Sequence, residues 1–191
     1  VGLGDIIAYH NETTVDWFGA FLQGKYDTEK INLYGMGGIS TIGYTYEDHF
    51  AINKDEDGND IDNFVEADNI TTFQVKGGGR YNLDDRLSAF ANVGYVQKPP
   101  ILDNVIDYDG NVSTNPDNEK FISTEVGGEY RSGLVAVKGS YYNTQWKDRN
   151  LTKSVTTGQG DSGDTDIIYL TGVNQSHSGF EIESKVALHE M

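Results

Sequence analysis

Apolar and polar residues alternate with a period of two in run after run of this chain, the pattern of β-strands with one apolar and one polar face. Over 71–81, Thr71, Phe73, Val75, Gly77, Gly79 and Tyr81 share one face, and Thr72, Gln74, Lys76, Gly78 and Arg80 the other. Over 87–95 the apolar face is Leu87, Ala89, Ala91, Val93 and Tyr95. Over 122–131, Ile122, Thr124, Val126, Gly128 and Tyr130 oppose Ser123, Glu125, Gly127, Glu129 and Arg131. Over 180–188, Phe180, Ile182, Ser184, Val186 and Leu188 oppose Glu181, Glu183, Lys185 and Ala187. Runs at 30–48 and 134–152 are longer than the ~9–11 residues a strand needs to cross a bilayer. The pattern predicts about eight strands, the first of them near Asp5–His10.

The connections alternate in length. Short polar turns are expected at Tyr26–Lys30, Asn82–Arg86 and Arg131–Gly133, and long Asp/Asn/Gly-rich loops at 51–69, 103–120 and 153–166. Short turn, long loop, short turn is the signature of an antiparallel up-and-down transmembrane β-barrel, with turns on the periplasmic side and loops outside. A β-sandwich spaces its strands more evenly. Aromatic residues gather near the expected strand ends: Trp17, Phe18, Phe21 and Tyr26; Tyr44 and Tyr46; Tyr141, Tyr142 and Trp146. They fit an interfacial girdle, and they also fit ordinary cross-strand aromatic pairing.

Composition narrows the classes. Twelve Tyr, eight Phe and 23 Gly against three Pro suit an all-β chain, since Gly and aromatics weaken helices. No stretch approaches the roughly 18 consecutive apolar residues of a spanning helix. Cysteine is absent, which excludes disulfides and thiolate ligands. A net charge of −16 argues against a nucleic-acid partner, because phosphates would meet repulsion. The charge is concentrated at 51–69, where Asp55, Glu56, Asp57, Asp60, Asp62, Glu66 and Asp68 face only Lys54. No basic-then-apolar leader opens the chain, and both ends, Val1-Gly2-Leu3 and Leu188-His189-Glu190-Met191, read as cuts through a larger protein. No internal repeat and no linker divides it.

Candidate chemistry is sparse. Asp55, Asp57, Asn59 and Asp60 surround Gly58 with the spacing of the first half of a calcium loop, and Asp107-Tyr108-Asp109-Gly110-Asn111 is a poorer version. Neither has the Glu at the twelfth position that an EF-hand requires, and Asp-Gly-Asn is also plain turn chemistry. His10, His49, His177 and His189 show no metal-ligand spacing. Val75-Lys76-Gly77-Gly78-Gly79 lacks the Lys-Ser/Thr of a phosphate loop, so its glycines read as sites of close backbone or aromatic approach. No nucleophile–base pair or paired carboxylates stand out, and no enzyme is expected. Asn-x-Ser/Thr at Asn11, Asn69, Asn111, Asn150 and Asn174 reads as chance in an Asn/Thr-rich chain.

Four segments then carry a resemblance. Asn92–Val105 (NVGYVQKPPILDNV) resembles the strand-into-loop segment of TonB-dependent receptors, and Asn118–Tyr130 (NEKFISTEVGGEY) the hairpin arm that follows it. Tyr141–Arg149 (YYNTQWKDR) and Gly172–Glu183 (GVNQSHSGFEIE) resemble two later strands, and Trp17–Phe21 through Gly38–Ser40 has the look of the same group. These segments stand in the family's order over most of 15–188, and are most similar to receptors with a carboxypeptidase-regulatory-like domain before the plug. The resemblance implies a bacterial outer-membrane barrel of about 22 strands closed by a plug. Residues 1–191 would be part of that barrel domain, without the plug and TonB box. It further implies energy from the TonB complex through the plug, contact with membrane lipid, and a nutrient cargo such as an iron siderophore, cobalamin or oligosaccharide, with no cofactor beyond the candidate calcium. A soluble all-β adhesin or carbohydrate-binding module and a passive porin are the alternatives. For the acidic loop, limited proteolysis of parent and Asp57→Ala is expected to give the same cleavage within 53–62 with calcium as with chelator; protection by calcium in the parent alone would establish the ion.

Overall fold

A computed structural model describes the chain except residues 1, 3, 4, 8, 9, 55, 56, 58, 59, 108, 109, 115, 158–163 and 188–191. The strands are β1 (Asn11–Asp27), β2 (Ile31–Lys54), β3 (Asp60–Glu66), β4 (Ile70–Asn82), β5 (Leu87–Lys98), β6 (Glu119–Arg131), β7 (Val135–Thr157) and β8 (Asp164–Val186). They form one sheet in the order β1-β2-β4-β5-β6-β7-β8, with β3 paired to β2 off that path. Each pair whose register is resolved is antiparallel. The only helical element among the described residues is a 3-10 turn, Leu102–Asn104.

The three expected tight turns form. Their backbones close through Thr28 N–H to Ile31 O (2.8 Å), Leu83 N–H to Leu87 O (2.9 Å) and Ser132 N–H to Val135 O (2.7 Å). A short polar side chain reinforces each one, as turn-forming residues do. Thr28 Oγ1 and Ser132 Oγ accept from Ile31 and Val135 N–H, and the Asp84 carboxylate accepts from Arg86 N–H (2.7 Å) and Leu87 N–H (2.9 Å). The Arg86 N–H, then that of Leu87, holds the Asp84 carboxyl below the usual carboxylate range.

Two expectations about the elements are corrected. No strand forms among the described residues of 5–10, and the eighth strand is instead β3. The segments 51–69 and 153–166, read as irregular loops, are largely strand, since β2 runs to Lys54, β3 starts at Asp60, β7 runs to Thr157 and β8 starts at Asp164. Pairing persists there after alternation fades, because any backbone supplies the ladder while only a half-buried strand needs an apolar face. The connection between β5 and β6 is irregular, apart from the 3-10 turn and an Ile106–Val112 bridge.

The chain divides into two interleaved units, 1–19, 40–71 and 99–117 against 20–39, 72–98 and 118–191. The first has a small apolar core of Tyr44, Tyr46, Ala67, Val105 and Ile106, with Ile42, Val65, Ile70 and Leu102 against it. Tyr44 donates to the carbonyl of fully buried Pro100 (3.0 Å), and Asn11 Nδ2 donates to Tyr46 Oη (2.7 Å). Tyr44 and Tyr46 are therefore core residues that hold the 99–106 segment, not members of an exposed girdle. Trp17 and Phe21 lie on the opposite face of β1 from Phe18 and Tyr26, and both pairs are exposed, as is almost all of this edge strand. Trp146, also expected in a girdle, donates instead to buried Glu119 on the polar face.

The second unit has the opposite polarity. Its buried residues, among those described, are Thr72, Ser88, Gly94, Glu119, Glu129 and Ser140, with no large apolar side chain among them. The apolar row of β4–β8 is the exposed one: Val75, Val93, Val126, Tyr141, Phe180 and Ile182 are all exposed, the last two at 82%. Register confirms the two faces. Gly77↔Val93↔Thr124↔Asn143↔Ser178 and Gly79↔Ala91↔Val126↔Tyr141↔Phe180 cross on one side, and Asn82↔Ser88↔Glu129↔Lys138↔Glu183 on the other.

One irregularity interrupts this lattice. Between Trp146 and Arg149, β7 holds one residue more than β8 opposite; between Arg149 and Leu151, β8 holds one more than β7. The extra residues coincide with Asp148 (φ 55°) and Gly172 (φ 73°), both in the left-handed region that bulges use. The two bulges cancel, and the original register resumes from Leu151–Leu170 onward.

Close backbone approach explains two glycines on the polar face. A Cβ on Gly78 would meet the Tyr34 ring at 2.7 Å, and one on Gly127 would meet Gly139 O and the Phe90 ring, both at 2.5 Å. Gly127→Ala is expected to lower barrel stability by about 1–3 kcal/mol, the usual range for overpacking. Gly139→Ala, whose Cβ would meet nothing within 4 Å, should stay within about 0.5 kcal/mol of the parent. Thermal unfolding in detergent compares the two variants.

Candidate functional site

The polar face of the second unit carries a lattice of opposed charges. Glu129, only 8% exposed, accepts from the guanidinium groups of Arg80 on β4 and Arg131 on its own strand. Glu125 accepts from Asn92 Nδ2 (2.9 Å) and lies 4.0 Å from Lys138 Nζ, while Asn92 Oδ1 accepts from Tyr34 Oη (3.0 Å). Lys138 Nζ also sits 4.9 Å from the centroid of the Phe90 ring. Arg80, Glu129, Arg131, Ala136, Lys138, Glu183 and Lys185 line a groove of about 590 Å³. Such a surface offers fixed donors and acceptors to a hydrated polar solute.

A second cluster lies at the end of the same face away from the tight turns. Glu119 is 1% exposed and gathers Trp146 Nε1–H (2.9 Å), Lys98 Nζ (3.3 Å) and Asn150 N–H (3.3 Å). Trp146 packs at 4.6 Å from Phe121, and the Arg149 guanidinium lies 4.0 Å over its ring. Arg149 is three residues from Trp146, an odd offset that a regular strand would place on the opposite face. The Asp148 bulge returns it to this one, where its Nη1 donates to Gln175 (2.9 Å). Lys120 Nζ pairs with Asp148 at 2.6 Å.

Of the candidate calcium ligands, Asp55 and Asn59 lie outside the described residues. Asp57 is an exposed turn residue, and Asp60 opens β3 opposite Lys54. In the poorer version, the Asp107 carboxylate accepts from Asn111 N–H (2.8 Å) and Nδ2 around Gly110 (φ 78°), so this aspartate closes its own turn. The histidines depart from expectation. His177 is exposed on β8 and His189 lies outside the described residues, but the His10 and His49 rings meet at 4.3 Å beside Glu12 and Glu47. The signal that reveals them is the turn at 28–30: folding the chain back there sets His10-x-Glu12 against Glu47-x-His49.

Residues 2–188 match the family described as "TonB dependent receptor-like, beta-barrel". The chain belongs to that family. Among solved structures, similar ones include the copper transporter OprC (17% identity, TM-score 0.60), covering 93% of this chain and 27% of OprC. The ferric-catecholate import receptor Fiu of E. coli K12 has 14% identity and a TM-score of 0.58, with 94% of this chain and 26% of Fiu covered. The alcaligin outer-membrane receptor FauA of Bordetella pertussis has 15% identity and a TM-score of 0.56, with 94% and 28% covered. At these identities the likeness concerns the fold. The chain spans about a quarter of the length of each of these structures. No curated protein matches it.

Among the described residues Glu119 is the most deeply buried charge of the polar face. Glu119→Ala would leave the Trp146 and Asn150 N–H groups without an acceptor and is expected to cost about 1–3 kcal/mol. Glu119→Gln keeps an acceptor and should recover most of that loss. Thermal unfolding in detergent, with Trp emission shifting to longer wavelength in the alanine variant alone, checks both.

Proposed function

We propose that this chain is part of the barrel wall of an active importer in the bacterial outer membrane. The observation that carries the reading is the inverted polarity of the second unit, where buried Glu119 and Glu129 oppose exposed Phe180 and Ile182. An apolar exterior suits lipid and a charged interior suits a hydrated passage. Family membership adds the expectation of a plug and of energy from the TonB complex. The tight turns face the periplasm, and β2, β7 and β8, at 23–24 residues each, project beyond the outer leaflet. The cargo is a scarce nutrient of the iron-siderophore, cobalamin or oligosaccharide class, in keeping with neighbours named for copper, ferric catecholate and alcaligin. The test uses the natural protein in its own host, measuring uptake of representatives of the three cargo classes. Uptake of one class should fall at least tenfold both on deleting the protein and on deleting TonB. Uptake that survives loss of TonB would make the barrel a passive porin.

A further inference from the structure

Four side chains of the first unit take no part in the wall described above. The sequence carries them as His10-Asn11-Glu12 and Glu47-Asp48-His49, the same spacing read in opposite directions. His49 N–H donates to His10 O at 3.0 Å, which makes the two residues cross-strand neighbours. Two positions along, on the same faces of β1 and β2, come Glu12 and Glu47. Asn11 and Tyr46, joined by their own hydrogen bond, take the opposite face. His49 Nε2 lies 3.4 Å from Glu12 Oε2 and its Nδ1 3.4 Å from Glu47 Oε1. Ligand atoms of Glu12, Glu47 and His49 all lie within 4.8 Å of one another, and the His10 ring is 4.3 Å from that of His49.

Two carboxylates facing each other across strands repel, more so in a chain of net charge −16. Contacts of 3.4 Å are long for hydrogen bonds, so the imidazole only loosely offsets that repulsion. A divalent ion offsets it directly. Two imidazole nitrogens with two carboxylate oxygens make a borderline donor set, suited to tetrahedral Zn²⁺. Ca²⁺, which takes six to eight oxygens, is poorly served. The geometry points to a resident Zn²⁺ site formed by Glu12, Glu47, one ring nitrogen of His49 and, after side-chain rotation, His10. The ion ties the start of β1 to β2 and is separate from cargo import, on which it does not depend.

The test is calorimetric titration of the full natural protein in detergent with ZnCl₂, with and without millimolar CaCl₂. One Zn²⁺ is expected to bind irrespective of calcium, with affinity falling at least tenfold in Glu12→Gln/Glu47→Gln and in His49→Ala, and unchanged in Asp16→Asn. A second readout needs no variant: Zn²⁺ should shield His10 and His49, but not exposed His177, from diethylpyrocarbonate. Absence of zinc binding, equal affinity in the Glu12→Gln/Glu47→Gln protein, or unshielded His49 at saturating zinc would overturn the site and leave an ion-pair cluster.

Discussion

Everything in this fold depends on where the backbone finds its hydrogen bonds. In hydrocarbon no water completes a peptide group, so each strand must be paired along its whole membrane depth. That requirement explains why β4 through β8 pair antiparallel along their length, with β7 and β8 returning to their original register after two compensating bulges. It also explains Gly127, where the strands admit the Phe90 ring only because no side chain intervenes. Pairing comes first, and the side chains are fitted to the faces that result.

Placing charges on a buried face has its own condition. An isolated carboxylate taken out of water is very costly, and a paired, hydrogen-bonded one is tolerated. Glu129 and Glu119 meet the condition differently. Glu129 lies between two guanidinium groups, whereas Glu119 combines one ammonium with an indole N–H and a backbone N–H. The first arrangement is electrostatic and reaches from β4 to β6. The second is directional, and it fixes the position of Trp146 as much as it settles the charge.

How much of this was legible in the sequence follows from the same physics. A period of two survives wherever one face is apolar, so the faces that carry Val93, Val126 and Phe180 are legible in the alternation alone. Tight turns carry their own chemistry in Thr28, Asp84 and Ser132. The outer ends, β3 among them, look like loops in the sequence because strand formation there leaves no hydrophobic trace. Tyr44 and Tyr46 read as girdle residues in the sequence because it does not say which distant segment, here 99–106, covers an aromatic. Arg80 and Glu129, like His10 and His49, are adjacent only once strand order and register are known.

The two bulges in β7 and β8 bear on how such a chain can change length. A single residue gained or lost within a strand exchanges its faces from that point on, carrying charged side chains to the lipid side and apolar ones inward. Asp148 and Gly172 form a matched pair, in which the insertion on one strand is absorbed by that on its neighbour. Removing either alone would leave the segment from Leu151 to Thr157 out of phase with its partner; removing both would leave pairing intact and send Arg149 away from Trp146. Paired insertions or deletions near this point therefore keep the two strands in phase, and the outer end of the hairpin can change in sequence without disturbing the parity of the wall beneath it.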